Sequence, residues 1–139
     1  MPITVTAPQG VLTETGEREI LPRLTAALIE VSGLTGNAFL APIVGGTVQV
    51  LPAARVYAGG VNRPVVMIEL KLPGVLLPDA ATRAAFVKEA TAIAEELTVP
   101  GHAVADIWIN VLHASDGGWG IGGLAYTDAD LLEGVRAAV

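Results

Sequence analysis

The stretch Val56-Tyr57-Ala58-Gly59-Gly60 decides the fold, because a similar stretch, Trp119-Gly120-Ile121-Gly122-Gly123, closes the second half of the chain. Earlier in each half, Gly10-Val11-Leu12 recurs as Gly74-Val75-Leu76. Two matches at nearly equal separation indicate an internal repeat of one supersecondary unit. Chance similarity between short segments of small and apolar residues is the alternative interpretation.

Outward from these matches, the first half predicts a strand, a helix and a second strand. The strand covers residues 2–7, and the second β-rich run covers residues 43–51. Between them Thr13 is a candidate helix cap, Gly33 ends the helix, and Pro22 marks either its start or a bend. The apolar residues recur at helical spacing, at Ile20, Leu24, Ala27, Leu28 and Val31.

The second half predicts the same order of elements. A strand covers residues 65–72, Asp79 caps a helix, and a second strand covers residues 107–112. The apolar residues of this helix have the same spacing as those of the first helix, at Phe86, Ala90, Ile93, Ala94 and Leu97. Each half is therefore a β-α-β unit, whose strands are parallel and whose crossover is right-handed.

Two such units predict an α+β fold, with one four-stranded sheet and two helices on one face. We expect one domain over residues 1–139, with repeat one at about 2–62, repeat two at about 63–126 and a C-terminal arm at 127–139. Thr127 caps this arm, which we expect to clasp a neighbouring subunit. The other sheet face is expected to be apolar and covered by further copies of the chain in a closed ring.

Composition excludes several classes of function. The 139 residues carry a net charge of −6 and no basic run, which argues against nucleic acid or an anionic membrane as partner. The chain has no cysteine, and its two histidines, His102 and His113, are too far apart in sequence to indicate a metal site. No apolar run is long enough to span a bilayer, and no signal peptide is recognisable, so a cytoplasmic location is expected.

Pro2 is the strongest candidate for chemistry. If Met1 is removed, the Pro2 nitrogen becomes a secondary amine that can take and return a proton near neutral pH, because burial lowers the pKa of an α-amino group. If Met1 stays, this nitrogen is an amide without a basic lone pair. An inert strand start is the alternative role for Pro2.

The N-terminal proline, the doubled β-α-β unit and the late Trp-Gly-Ile-Gly-Gly together resemble the tautomerase superfamily, which includes 4-oxalocrotonate tautomerase, macrophage migration inhibitory factor and the cis-type chloroacrylic acid dehalogenases. The most specific stretches are residues 33–36, 52–60 and 114–123, and residues 106–110 are similar to a strand of migration inhibitory factor. The resemblance implies a homotrimer with Pro2 at the floor of each pocket, a small carbonyl substrate and no cofactor.

The resemblance also implies substrate-binding residues. Asn110 matches a position that hydrogen-bonds substrate, Trp108 shares its sheet face, and Trp119 matches an aromatic pocket wall. Two arginines that clamp a substrate carboxylate in many members are replaced here by Val11 and Val75.

Three cations are candidate substitutes for the missing clamp. Arg55, Arg63 and Lys71 lie on loops or strand ends that we expect near the pocket mouth. Ordinary solvated surface charge is the alternative role for each of them.

We therefore expect an isomerase that uses Pro2 for keto-enol or double-bond isomerisation of a small carbonyl compound. One alternative is a non-catalytic trimeric binding or scaffold protein of the same fold. Another is a decarboxylase or dehalogenase of the superfamily, with Arg55 or Arg63 as its carboxylate clamp.

Overall fold

The structure, a computed structural model, describes residues 1–139. The first half contains a long helix and four strands: β1 (Pro2–Pro8), α1 (Glu14–Val31), β2 (Gly45–Leu51), β3 (Tyr57–Ala58) and β4 (Val61–Asn62). The second half repeats this order and adds a short helix: β5 (Val66–Pro73), α2 (Ala80–Leu97), β6 (Ile107–Ala114), β7 (Trp119–Ile121), β8 (Leu124–Tyr126) and α3 (Asp128–Ala137).

The main sheet has the strand order β2-β1-β5-β6. Strands β1 and β2 are parallel, and so are β5 and β6, while the two halves meet through the antiparallel pair β1 and β5. Helices α1 and α2 pack against each other. This arrangement confirms the predicted α+β fold, with one four-stranded sheet built from two β-α-β units.

Capping side chains begin both long helices where the sequence predicted. The Thr13 hydroxyl accepts a hydrogen bond from the Gly16 amide at 2.9 Å, and the Asp79 carboxylate accepts one from the Thr82 amide at 2.8 Å. The Thr82 bond is the main reason why the pKa of Asp79 is lowered. Pro22 lies inside α1, so the helix starts eight residues before it rather than at it.

The repeated glycine pairs form the turns of two short hairpins. Gly59 and Gly60 connect β3 to β4, and Gly122 and Gly123 connect β7 to β8. All four have positive φ, between 61° and 89°, as a two-residue type I′ turn requires. The sequence match that indicated the repeat is therefore a repeated hairpin.

The core lies between the sheet and the two long helices. Side chains alternate along each strand, so one set faces the helices and the other faces away. The set towards the helices is apolar and fully buried, and includes Ile3, Val5, Ala7, Ile68, Leu70 and Leu72.

The prediction of an apolar opposite face is wrong. Alternation leaves a mixed surface there, with Thr4, Thr6, Thr47, Gln49, Glu69, Lys71 and Asn110 beside Met67, Trp108 and Leu112. A partner that covers this face must therefore accept hydrogen bonds and charge as well as apolar contact.

Helix α3 packs against its own chain, and the contact of this arm with a neighbouring subunit stays a prediction. Thr127 and Asp130 form a reciprocal capping box at its start, as the sequence predicted for Thr127. Leu131 is only 2% exposed, and the Val135 carbonyl accepts a hydrogen bond from Asn37 at 2.8 Å. No helix of the chain is both long and apolar enough to cross a bilayer.

Candidate active site around Pro2

Pro2 lies at the exposed start of β1, in a row of residues that crosses the sheet. It pairs with Gly45 of β2. On the other side of β1, Ile3 pairs with Leu70 of β5, so the next residue of β5, Lys71, lies opposite Pro2. Lys71 in turn pairs with Leu112 of β6. Lys71 is therefore the one predicted cation that a single chain brings beside Pro2.

In the full sequence, the Pro2 nitrogen forms an amide with Met1. The Met1 amine donates a hydrogen bond to the Ile43 carbonyl at 2.9 Å, and the Met1 carbonyl accepts one from the Gly45 amide at 3.1 Å. The Met1 residue is 5% exposed and belongs to the main hydrophobic core. Burial lowers the pKa of its amine to about 6.

An open groove of about 390 Å³ runs along Pro2, and we call it the Pro2 groove. Its residues come from the start of β1, from the turn before β2, from β2 itself and from the β7–β8 hairpin: Met1, Pro2, Thr4, Pro42, Ile43, Gly45, Gly46, Thr47 and Ile121. The groove therefore combines free threonine hydroxyls with an apolar rim.

Asn110 and Trp108 lie on the same sheet face as Pro2, at increasing distance from it. Asn110 pairs with Glu69, which pairs with Thr4, so it is one row from Pro2. Trp108 is one row further, 39% exposed, and its indole N–H donates to the Ala105 carbonyl at 3.0 Å. Asn110 is the nearer of the two predicted binding residues.

Trp119 packs against the main core, and its ring lies 5.7 Å from that of Tyr126 at an angle of 55°. In a single chain this hairpin contributes Ile121, not Trp119, to the Pro2 groove. Ile121 is a groove residue that was not predicted from the sequence. The strand alternation from Trp119 to Ile121 was the signal that could have found it.

Arg55 and Arg63 lie at the opposite end of the sheet from Pro2. They precede β5, whose first residue is about 16 Å along the strand from Lys71. Arg63 forms an ion pair with the largely buried carboxylate of Asp106 at 2.5 Å, whereas Arg55 is exposed and makes no salt bridge. One chain alone does not bring either arginine to its own Pro2.

Val11 and Val75, which replace the two arginines of the clamp, also lie in apolar surroundings. Val11 is buried in the main core. Val75 borders a small apolar cavity that also touches Met1. No cation therefore replaces the clamp at these two positions.

Metal-binding groups are dispersed. The chain holds no cluster of three or more His, Asp or Glu side chains that could hold a metal ion. The ring of His113 is 2.8 Å from the Leu76 carbonyl, and that of His102 is 3.4 Å from the Asp106 carbonyl. Both rings are bonded to backbone oxygens rather than to each other.

Solved structures share this fold across nearly the whole chain. A member of the cis-3-chloroacrylic acid dehalogenase family superimposes with a TM-score of 0.77 at 14% identity, over 100% of this chain and 92% of that one. Native fused 4-OT superimposes with a TM-score of 0.73 at 18% identity, over 90% and 95% of the two chains. The chain has the tautomerase-superfamily fold.

The tautomerase fold extends to a third branch of chemistry. A malonate semialdehyde decarboxylase inhibited by 3-bromopropiolate superimposes with a TM-score of 0.68 at 17% identity, over 96% of each chain. No known family model matches the sequence, and no curated protein matches it in sequence. The predicted resemblance is thus confirmed at the level of the tautomerase fold, which neighbours with several different activities share.

Proposed function

We propose that this chain is a homotrimeric tautomerase-like isomerase, acting in the cytoplasm, in which Pro2, once Met1 is removed, is the general base and acid. It abstracts a proton from the carbon next to a carbonyl group of a small substrate. It then returns this proton to a different carbon or oxygen, so the net reaction is a keto-enol or double-bond isomerisation that needs no cofactor.

The observation that carries this proposal is the hydrogen bond from the Gly45 amide to the Met1 carbonyl oxygen. The carbon of this carbonyl group is bonded to the Pro2 nitrogen. After Met1 leaves, this N–H is free and lies beside the base. A backbone N–H in that position stabilises the negative oxygen that forms when a proton is taken from the neighbouring carbon. Asn110, on the same sheet face but two strands from β1, is the proposed second donor.

One feature of the site favours an uncharged Pro2 amine once Met1 is removed. The ammonium group of Lys71, opposite Pro2, repels a further positive charge. A base whose pKa lies near the working pH is the most effective proton carrier.

The trimer is proposed because fused 4-OT proteins of this fold form trimers. The sheet face with Trp108, Leu112 and Met67 is mixed in polarity and open in one chain, so it is the surface we assign to subunit contacts. Light scattering should give three times the chain mass of 14.2 kDa. A monomer at micromolar concentration would contradict this assembly.

The test of the proton carrier is a Pro2→Ala variant, with Pro100→Ala as the matched control because Pro100 lies in an exposed turn far from the groove. Ketonisation of phenylpyruvate enol and of small aliphatic enols is followed by ultraviolet absorbance. We expect Pro2→Ala to lower kcat/KM by about 10²–10⁴-fold and Pro100→Ala to leave it unchanged. Equal turnover in the Pro2→Ala and wild-type proteins would contradict the proposed role of Pro2.

A non-catalytic scaffold is the second candidate, and the contacts that Met1 makes within the chain favour it. Its amine, its carbonyl and its side chain all have partners. Intact mass spectrometry separates the two functions. A mass without methionine makes Pro2 a free amine, and a mass that keeps it leaves no base at this position.

A decarboxylase or dehalogenase is the third candidate, and it depends on Arg55. Arg63 is engaged by Asp106, whereas Arg55 is exposed and makes no salt bridge within the chain. This function requires Arg55 of one subunit to reach the Pro2 groove of another. Unchanged binding of a small carboxylate by Arg55→Ala and Arg63→Ala variants would exclude it.

A further inference from the structure

Met1 separates the Pro2 groove from a second space. This space, which we call the Met1 seat, is an apolar cavity bordered by Met1 and by Phe39, Leu40, Pro73, Val75, Leu76, Leu131 and Val135. With Met1 present, only about 10 Å³ of this cavity remains empty. That volume is too small to hold an ordered water molecule in an apolar site. Met1 is the only residue that borders both spaces.

Removal of Met1 therefore joins the groove to the seat and frees two backbone groups. The Ile43 carbonyl loses the amine that it accepted at 2.9 Å, and the Gly45 amide loses the carbonyl to which it donated at 3.1 Å. One acceptor, one donor and an apolar cavity are then arranged around the new Pro2 amine.

We propose that Met1 occupies the position of the substrate, and that the substrate is a small, uncharged 2-hydroxycarbonyl compound with an unbranched apolar tail. This inference rests on the proposed function of Pro2 and adds the substrate class. Each part of Met1 corresponds to one part of the substrate, and each part has its own partner in the site.

The carbonyl oxygen of the substrate accepts from the Gly45 N–H, as the Met1 carbonyl oxygen does, while its carbon lies at non-bonded distance from the Pro2 nitrogen. The hydroxyl on the neighbouring carbon takes the place of the amine and donates to the Ile43 carbonyl. The tail takes the place of the methionine side chain, which is unbranched and flexible. A branched tail does not fit the space that this side chain leaves.

The lining of the Met1 seat excludes a carboxylate at the end of the tail. The residues around the seat are all apolar, and Val75 and Val135 are among them. A carboxylate at the end of the tail would be buried without a hydrogen-bond partner, which disfavours its binding. The same lining favours each added methylene group.

The chemistry for a 2-hydroxyaldehyde is a balanced proton transfer. The Pro2 nitrogen takes the proton from C2, the C–H electron pair forms the C1=C2 bond, and the C1 carbonyl electron pair moves to oxygen beside the Gly45 N–H. Protonated Pro2 returns the proton to C1, and the hydroxyl proton on O2 passes to O1. The product is the 1-hydroxy-2-ketone, and no other reactant is consumed.

The first experiment measures binding, so that its failure is separate from failure of catalysis. The protein is treated with methionine aminopeptidase until its mass shows Pro2 as the first residue. Titration calorimetry then compares 2-hydroxyhexanamide, which is not isomerised, with 2-hydroxyacetamide and with the same hexanamide bearing a terminal carboxylate. The Pro2→Ala protein, also freed of Met1, is titrated in parallel.

We expect 2-hydroxyhexanamide to bind about 100-fold more tightly than 2-hydroxyacetamide, from its four added carbons. The carboxylate analogue should bind at least tenfold more weakly than 2-hydroxyhexanamide. Equal binding of the three compounds, or no binding, would overturn the inference even if Pro2 is catalytic. Tight binding by both proteins, with no difference in enol turnover between them, would uphold the seat and reject the proposed function.

A Val75→Arg variant tests the seat itself, with Leu132→Arg as control because Leu132 is 39% exposed and does not border the seat. We expect Val75→Arg to reverse the preference in favour of the carboxylate analogue. Should it fail to fold, Val75→Ser, which shortens the apolar lining, should weaken 2-hydroxyhexanamide binding severalfold. Unchanged binding in a folded Val75 variant would contradict the assigned position of the tail.

Discussion

The side chain of Asn37 donates a hydrogen bond to the carbonyl oxygen of Val135 at 2.8 Å, and so ties the loop after α1 to the C-terminal helix. The same side chain accepts from the amides of Phe39 and Leu40, each at 3.1 Å. Asn37 is 7% exposed, so all three bonds are made away from most of the solvent. This one residue fixes both the loop and the helix that close the Met1 seat.

An Asn37→Ala variant should lower the free energy of unfolding by about 2–3 kcal/mol, because two backbone amides and one carbonyl lose a buried partner. Urea denaturation measures the change. Gln49→Ala, on the exposed face of β2, is the control and should change stability by less than about 0.5 kcal/mol. A similar small change in Asn37→Ala would show that these bonds contribute little.

Leu131 and Leu132 are neighbours on α3 with opposite environments, since Leu131 is 2% exposed and Leu132 is 39% exposed. A Leu131→Ala variant should cost about 2–4 kcal/mol by opening a cavity, and Leu132→Ala less than about 1 kcal/mol. Thermal unfolding of both variants is the measurement. Equal losses would mean that α3 does not dock through Leu131.

The ion pair between Arg63 and Asp106 gives a prediction that separates structure from catalysis. Arg63→Ala leaves the Asp106 carboxylate largely buried without its partner, and we expect a loss of about 2–4 kcal/mol in unfolding free energy. Arg55→Ala, a matched variant at an exposed arginine, should be neutral in stability. If Arg63→Ala instead leaves stability unchanged and removes binding of a small carboxylate, Arg63 binds the substrate carboxylate.

Retention of Met1 should make stability depend on pH in a defined window. The pKa of its amine is about 6 in the folded protein against 8.0 for an ordinary terminal amine. Between these values the unfolded chain binds more protons, so stability rises with pH from 6 to 8 and is fully present above 8. Because the amine is partly in contact with solvent, we expect the effect to be screened to about 1 kcal/mol.

Denaturant midpoints at pH 6 and pH 8, for protein with and without Met1, test this dependence. The difference between the two forms removes the contribution of the carboxylates and histidines that they share, and compares the Met1 amine with the Pro2 amine that replaces it. A smaller stability at pH 8 than at pH 6 in the Met1 form alone would contradict the direction.

Local sequence predicted the secondary structure because its signals act over a few residues. Thr13, Asp79 and Thr127 cap helices through their own neighbours, and the glycine pairs at 59–60 and 122–123 form turns through their own backbone. Pro22 shows the limit of such signals. The helix passes through it because Ile20 and Leu24, on either side, are fully buried against the core.

The sequence by itself determined the two β-α-β units, their helix caps and the position of Pro2 at the start of a strand, since periodicity and capping need only local contacts. The tertiary structure alone decided what surrounds Pro2. Asn37 and Val135 are 98 residues apart, and Met1 meets Ile43 across 42 residues. Such contacts depend on how the sheet and α3 close around the N-terminus, and no local pattern encodes that closure.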